Sequence, residues 1–307
     1  MGFRYTVVSE TLSFLGYDIL ENPREILAAI KEAGWDGVDM PSSVRVDPKI
    51  LMPLVMEAGL VVPEVLGAWA YFHAGEDRDL CSGDPAARER GIRYARRAID
   101  LCVGFGAHLF SVCAAQPPVP QLPFPDKPIR MLRKNFVVAL KEICAYAAER
   151  GIVVPLEPLS CYEAFPGVLT TVQEAAMLIN EAGIPNLGIQ PDISHMNPNV
   201  ASISDSLRAV GKHICHVHIN ETTRYDLGSG HADFQSIFRA LLDVGYTGYL
   251  AVYMPHTTQE ASQMGAMGYG SLEARKRGMT DRPDLLTYLK QTITHLKHIE
   301  QTVMLAR

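Results

Sequence analysis

The 307-residue chain is predicted to fold as one α/β domain, a single (β/α)8 barrel, on three observations. Short runs rich in Val, Ile and Leu alternate with longer amphipathic stretches, the pattern of parallel strands covered by helices on both faces. Eight such runs occur, and barrels of this kind reach 250 residues or more as one domain. An open doubly wound sheet would show the same alternation, but no GxGxxG follows the first run and no GxxxxGK[ST] occurs anywhere.

In order, the strands are expected at Phe3–Val8, Gly37–Met40, Val61–Leu66, His108–Cys113, Ile152–Glu157, Leu187–Asp192, Ile214–Asn220 and Tyr249–Tyr253. Helical spacing marks Arg24–Ala33, Ala86–Val103, Ile129–Arg150, Val172–Ala182 and Phe234–Val244. Several helices run into a glycine suited to a left-handed stop: Gly34, Gly151, Gly183 and Gly245. Thr171-Val172-Gln173-Glu174 reads as a capping box, in which the Thr hydroxyl meets an N-terminal N–H and Glu174 reaches back. The Pro-rich stretch Gln116–Pro128 reads as a loop over a barrel mouth. An irregular excursion at about 255–282, rich in Gly and polar residues, precedes a last helix from Pro283 to about Val303. The excursion could serve as a lid, a docking loop or a surface insertion.

Composition narrows the function. Apolar residues make up 48% and charged ones 20%, which excludes disorder and fibre. Lys and Arg number 28 against 34 Asp and Glu, a formal charge of -6 that opposes nucleic-acid binding. No run approaches the roughly 18 apolar residues of a membrane helix, and Met1–Val8 has no secretory pattern, so a soluble, cytoplasmic protein is expected. The six cysteines form no CxxC pair and read as reduced core thiols; Cys161 stands out only for its neighbours.

In a (β/α)8 barrel, chemistry sits at the C-terminal strand ends. Here one run ends in Glu157, another in Asp192, and Cys215-His216-Val217-His218 supplies an imidazole. Two carboxylates and one neutral imidazole form an O,O,N set suited to Mn²⁺, Mg²⁺ or Co²⁺, with positions left for substrate. The competing reading makes Glu157 and Asp192 helix caps and His218 a hydrogen-bonded core residue.

The flanking residues add a resemblance. Leu156-Glu157-Pro158 with Tyr162-Glu163, then Asp192-Ile193-Ser194-His195-Met196-Asn197, then His216-Val217-His218-Ile219-Asn220-Glu221 with Arg224, follow one another in that order. Together they resemble the D-tagatose/D-psicose 3-epimerase family of sugar isomerases and epimerases, within the xylose isomerase-like barrels. The resemblance runs from Arg150 to Pro255 and includes Gly228-Ser229-Gly230 and Asp233-Phe234. It implies that Glu157, Asp192 and His218 hold one divalent cation, Mn²⁺ first, with Mg²⁺ or Co²⁺ as alternatives. It further implies that Glu163, His195 and Arg224 contact the sugar, that the partner is a small sugar, and that the protein is a homo-oligomer.

The family also places a Glu at the end of the last strand, as fourth ligand and second acid/base. Tyr253 stands there in this chain. Epimerisation needs groups on both faces of an enediolate; Glu157 supplies one, and Tyr253 can act as an acid but is a poor base near neutral pH. The expected activity is therefore a metal-dependent isomerase or epimerase working through proton abstraction next to a carbonyl. A lyase performing β-elimination on a 3-keto sugar or glycoside, of the C-glycoside-cleaving type that works with a partner chain, is the alternative, and a non-catalytic sugar binder comes third. A multi-zinc DNA-repair endonuclease on the same barrel would need more His and acidic strand ends than occur here.

Further residues carry weaker signals. His216 shares a strand face with His218 and reads equally as a support for a metal ligand or as core. His108 reads as structural. Glu64, Trp69, Phe72, His256 and Glu260 could reach a substrate or supply an acid, but loop packing or solvent exposure is the expectation for each.

Overall fold

A computed structural model describes residues 2–67, 78–114, 129–160, 168–223, 225–254 and 283–306. The expected mouth loop at Gln116–Pro128 and the excursion at 255–282 lie outside them.

The strands are β1 (Arg4–Val8), β2 (Gly37–Pro41), β3 (Glu64–Leu66), β4 (Leu109–Phe110), β5 (Val112–Cys113), β6 (Val154–Glu157), β7 (Leu187–Ile189), β8 (Val217–Ile219) and β9 (Tyr249–Val252). They hydrogen bond in the orders β4-β3-β2-β1-β9-β8 and β5-β6-β7, with every neighbour parallel. Single pairings of Leu109 with Val153 and of Ile189 with Ile214 join the two sets, so the sheet closes on itself. Apart from Arg4 and the half-buried Tyr249, every strand residue is buried, as both faces of a helix-covered barrel require.

One expected strand, His108–Cys113, is divided at Ser111. β4 pairs with β3 while β5 pairs with β6, and between them the Ser111 hydroxyl accepts the Gly67 N–H at 3.1 Å. Of the remaining strands, β2 runs one residue further than expected, to Pro41, and the others are shorter by one to four residues, because ladder pairing begins only where the neighbouring strand is in reach.

The helices are α1 (Pro23–Ala33), α2 (Pro48–Glu57), α3 (Pro85–Phe105), α4 (Ile129–Ala148), α5 (Val172–Ala182), α6 (Ile193–Met196), α7 (Ile203–Val210), α8 (Phe234–Asp243) and α9 (Leu285–Leu305). The capping box forms: the Thr171 hydroxyl accepts the Glu174 N–H at 3.2 Å, and Glu174 Oε2 accepts the N–H groups of Thr170 and Thr171. Burial would raise the Glu174 pKa, but the Thr170 donors and the Arg133 guanidinium hold it below the usual carboxylate range. Gly34 and Gly183 end α1 and α5 at φ 95° and 64°, a conformation that disfavours any side chain.

Three helices have no counterpart in the sequence reading: α2, the single-turn α6 and α7. Pro53 lies inside α2 and blurs its periodicity, while Asp47 caps its start by accepting the Lys49 N–H. α7 has only eight residues, too few for a clear repeat, and Ser202 caps it. The last helix, α9, packs on α1 and α8. Its Glu300 accepts the Phe3 N–H at 2.6 Å and the Tyr5 hydroxyl at 2.9 Å, which ties the chain's last helix to its first strand.

Candidate active site

Glu157 is the final residue of β6, Asp192 lies three residues beyond the end of β7, and His218 is the middle residue of β8. An isolated pairing of Asp192 with His218 brings the last two side by side. All three are fully buried. His218 Nδ1 lies 3.2 Å from Glu157 Oε1 and 3.8 Å from Asp192 Oδ2.

A cation with bonds of about 2.1 Å sets neighbouring ligands about 3.0 Å apart in an octahedron and about 3.4 Å apart in a tetrahedron. One donor atom from each residue lies within 4.8 Å of the others, so the three can close on one ion with small side-chain adjustments. The donor set, two carboxylates and an imidazole, suits Mn²⁺, Co²⁺ or Zn²⁺.

The supports around the trio fix its orientation. Asp192 is both cap and candidate ligand: its Oδ1 accepts the His195 N–H at 3.1 Å and the Ser194 hydroxyl at 2.9 Å, while Oδ2 accepts Asn220 Nδ2 at 3.0 Å. Asn220 is held in turn by the Ser194 N–H, which donates to its Oδ1 at 2.9 Å. The Gln190 amide bridges the other two members, with Nε2 at 3.4 Å from Glu157 Oε2 and 2.9 Å from His218 Nε2. The Cys113 thiol donates to Glu157 Oε2 at 3.5 Å; burial and that carboxylate push its pKa well above the usual thiol range, so it is no thiolate nucleophile.

Tyr253, directly after β9, sets its ring edge-on to His218 with centroids 4.9 Å apart, and packs with Val8, Leu66, Cys113, Leu159 and Ala251. His195 is buried and accepts the Ser160 N–H on Nδ1 at 3.3 Å, which leaves the proton of the neutral ring on Nε2. The structure thus gathers Glu157, Asp192, His218, Tyr253 and His195. Glu163 and Arg224 lie outside the described residues, as do Cys161, Trp69, Phe72, His256 and Glu260.

Behind His218 lies a second charged group. His216 Nε2 is 2.8 Å from Asp39 Oδ2 and 3.3 Å from Glu64 Oε2; His218 Nε2 is 3.4 Å from the same Glu64 oxygen. All four side chains are buried, which corrects the expectation that Glu64 serves loop packing or faces solvent, and gives His216 a polar role. A closed barrel offers a carboxylate inside β3 no route to water, so Glu64 is held by imidazoles instead. Burial would lower the His218 pKa, but Glu157 and Glu64 on its two sides hold it well above the usual imidazole value. Burial would raise the Glu64 pKa, and His216 and His218 outweigh it and bring it down. For Asp39 burial prevails over His216, and its pKa is raised. Sequence reasoning missed Asp39, Gln190 and Asn220 as site residues. His108, expected to be structural, is exposed. The cysteines described, Cys81, Cys102, Cys113, Cys144 and Cys215, are all free thiols. No helix among the described residues is long and apolar enough to cross a membrane.

Comparisons with known proteins give the family and the fold. A family model described as a xylose isomerase-like TIM barrel matches residues 27–273. The chain is 30% identical over 230 residues to an L-ribulose 3-epimerase of Methylomonas sp. (strain DH-1), covering 73% of this chain and 76% of that one. It is 29% identical over 237 residues to a 3-dehydro-D-guloside 4-epimerase of Escherichia coli (strain K12), covering 75% and 86%. Among solved structures, an L-ribulose 3-epimerase superposes with a TM-score of 0.80 over 98% of this chain and 96% of its own, at 22% identity, a likeness of fold.

Proposed function

The chain belongs to the xylose isomerase-like TIM barrel family, and from that premise we propose that it is a divalent-cation-dependent sugar epimerase or isomerase acting on a keto-sugar. Its named relatives are epimerases and isomerases, and the chain is an enzyme of that type. The observation that supports the cation-dependent form is the convergence of Glu157 from β6, Asp192 from just beyond β7 and His218 from β8, all fully buried.

These three residues would hold the cation, which when bound supplies Lewis-acid polarisation of the substrate carbonyl and of the charge that develops on its oxygen. The Glu157 carboxylate then takes the proton from the carbon next to that carbonyl, leaving an enediolate. The Tyr253 hydroxyl, at the position where the family resemblance leads one to expect a second Glu, delivers a proton to the opposite face. One proton leaves carbon for Glu157 and one reaches carbon from Tyr253, and both groups re-equilibrate with water before the next turnover. Glu163, His195 and Arg224 hold the sugar's oxygens, His195 as an Nε2–H donor.

The substrate is a small ketose or a 3-keto glycoside, since relatives named for each kind are similar to the chain over comparable lengths. Mn²⁺ is the first cation to supply, with Mg²⁺ and Co²⁺ next. In this reading residues 1–307 form one barrel domain, with 255–282 as an excursion and a C-terminal helix, in a cytoplasmic homo-oligomer. The β-elimination alternative has no support among the named relatives and is not carried forward.

The test is NMR in D₂O of the purified, Mn²⁺-loaded protein with a panel of ketoses and 3-keto glycosides. Deuterium at an inverted or transposed carbon is the expected result. Tight sugar binding with neither turnover nor exchange across the panel would contradict it.

A further inference from the structure

Four carboxylates, Asp39, Glu64, Glu157 and Asp192, lie in one buried group with His216 and His218. A divalent cation held by Glu157, Asp192 and His218 balances only the first two charges it touches. Asp39 and Glu64 are left to His216 and His218, and among the described residues no Lys or Arg is paired with either. Both approach the same nitrogen, His216 Nε2, at 2.8 Å and 3.3 Å. That nitrogen carries at most one proton, which cannot satisfy two carboxylates at once. The other oxygens of the pair, Asp39 Oδ1 and Glu64 Oε1, are buried with no hydrogen-bond partner among the described residues. Buried charge of this kind calls for a counter-charge at the point where the groups converge.

We propose that Asp39, Glu64 and His216 form a second divalent-cation site, deeper in the barrel than Glu157, Asp192 and His218. The separations of 2.8 and 3.3 Å between donor atoms lie close to the ligand-to-ligand edges of about 3.0 to 3.4 Å that bonds of about 2.1 Å produce. One imidazole and two carboxylates fit Mn²⁺, Co²⁺ or Zn²⁺. His218 stands between the sites, with Nδ1 3.2 Å from Glu157 Oε1 and Nε2 3.4 Å from Glu64 Oε2. A cation on Glu64 therefore also fixes the carboxylate that orients His218. This inference rests on the proposed outer site only for that link.

The experiment counts ions. Full-length protein stripped with a chelator is reloaded with Mn²⁺ alone, desalted, and assayed for metal per chain by plasma mass spectrometry, with circular dichroism as the check on folding. The expected stoichiometry is about two in the wild type, falling to about one in Glu64→Gln and to about one in Asp192→Asn. Asp39→Asn, nearly isosteric, replaces Glu64→Gln should that variant fail to fold. Two ions retained in the folded inner-site variant, or one ion in the wild type that this variant keeps, overturns the proposal. One ion lost from Glu64→Gln but kept by Asp192→Asn supports the inner site and sinks the outer-site reading.

Discussion

Glu157, Asp192 and His218 and the group of Asp39, Glu64 and His216 share a barrel interior but are supported in different ways. The first trio is braced by neutral donors: Asn220 and Ser194 on Asp192, and Gln190 and Cys113 on Glu157. The second has the Thr6 hydroxyl at 3.3 Å from Asp39 and the Ser111 side chain on Glu64, and is otherwise held by His216 and His218. Neutral donors fix where a carboxylate points while leaving its charge available to a cation and a substrate. Charges facing one another must be neutralised in place. The outer trio is therefore suited to chemistry and the inner group to holding an ion and a histidine.

The largest effect that would break this division is on turnover. Glu157→Gln removes the proposed base, and kcat is expected to fall by on the order of 10²–10⁴ in initial-rate assays at saturating Mn²⁺. Tyr253→Phe keeps the ring against His218 and removes only the hydroxyl; a kcat loss of on the order of 10² with KM changed by less is expected. Unchanged turnover would take Tyr253 out of the mechanism. Glu64→Gln acts through the His218 ring, so Mn²⁺ titration of the outer site should show about 10- to 100-fold weaker binding.

The smallest effect lies away from both groups, in the helical ring. Glu174→Gln weakens the capping box and should lower stability by about 1 kcal/mol at neutral pH, read from denaturant melts. Because the folded Glu174 pKa is depressed, its contribution is present above the ordinary carboxylate value and is lost as pH falls through the lower folded value. Wild type and variant should therefore converge in acid. A gap that persists there would assign the loss to packing.

The same division governs what could be read from residue order. Eight strands were legible because short β-branched runs covered on both faces have few other uses, although the break at Ser111 depends on neighbours that only the closed ring supplies. The outer donors were legible because they stand at strand ends with distinctive flanks. Glu64 was visible as a strand-end carboxylate, but its partners come from β2 and β8, far away in the chain. Asp39 hides within Gly37-Val38-Asp39-Met40, where one acidic residue looks like an outward-facing position until the helices cover that face. The usable signal was the same for both: a carboxylate inside a strand buried on both faces must have a partner.

The most direct test of the central claim follows one hydrogen atom. The Mn²⁺-loaded wild type and Glu157→Gln are incubated with an active keto-sugar in D₂O, and deuterium at the carbon next to the carbonyl is followed by NMR. Deuterium is expected to enter that carbon in the wild type and to be lost to the background rate in Glu157→Gln with folding intact. Exchange at the wild-type rate in Glu157→Gln would contradict the assignment of Glu157 as the base, and turnover without any exchange in the wild type would contradict solvent-linked proton transfer at this site.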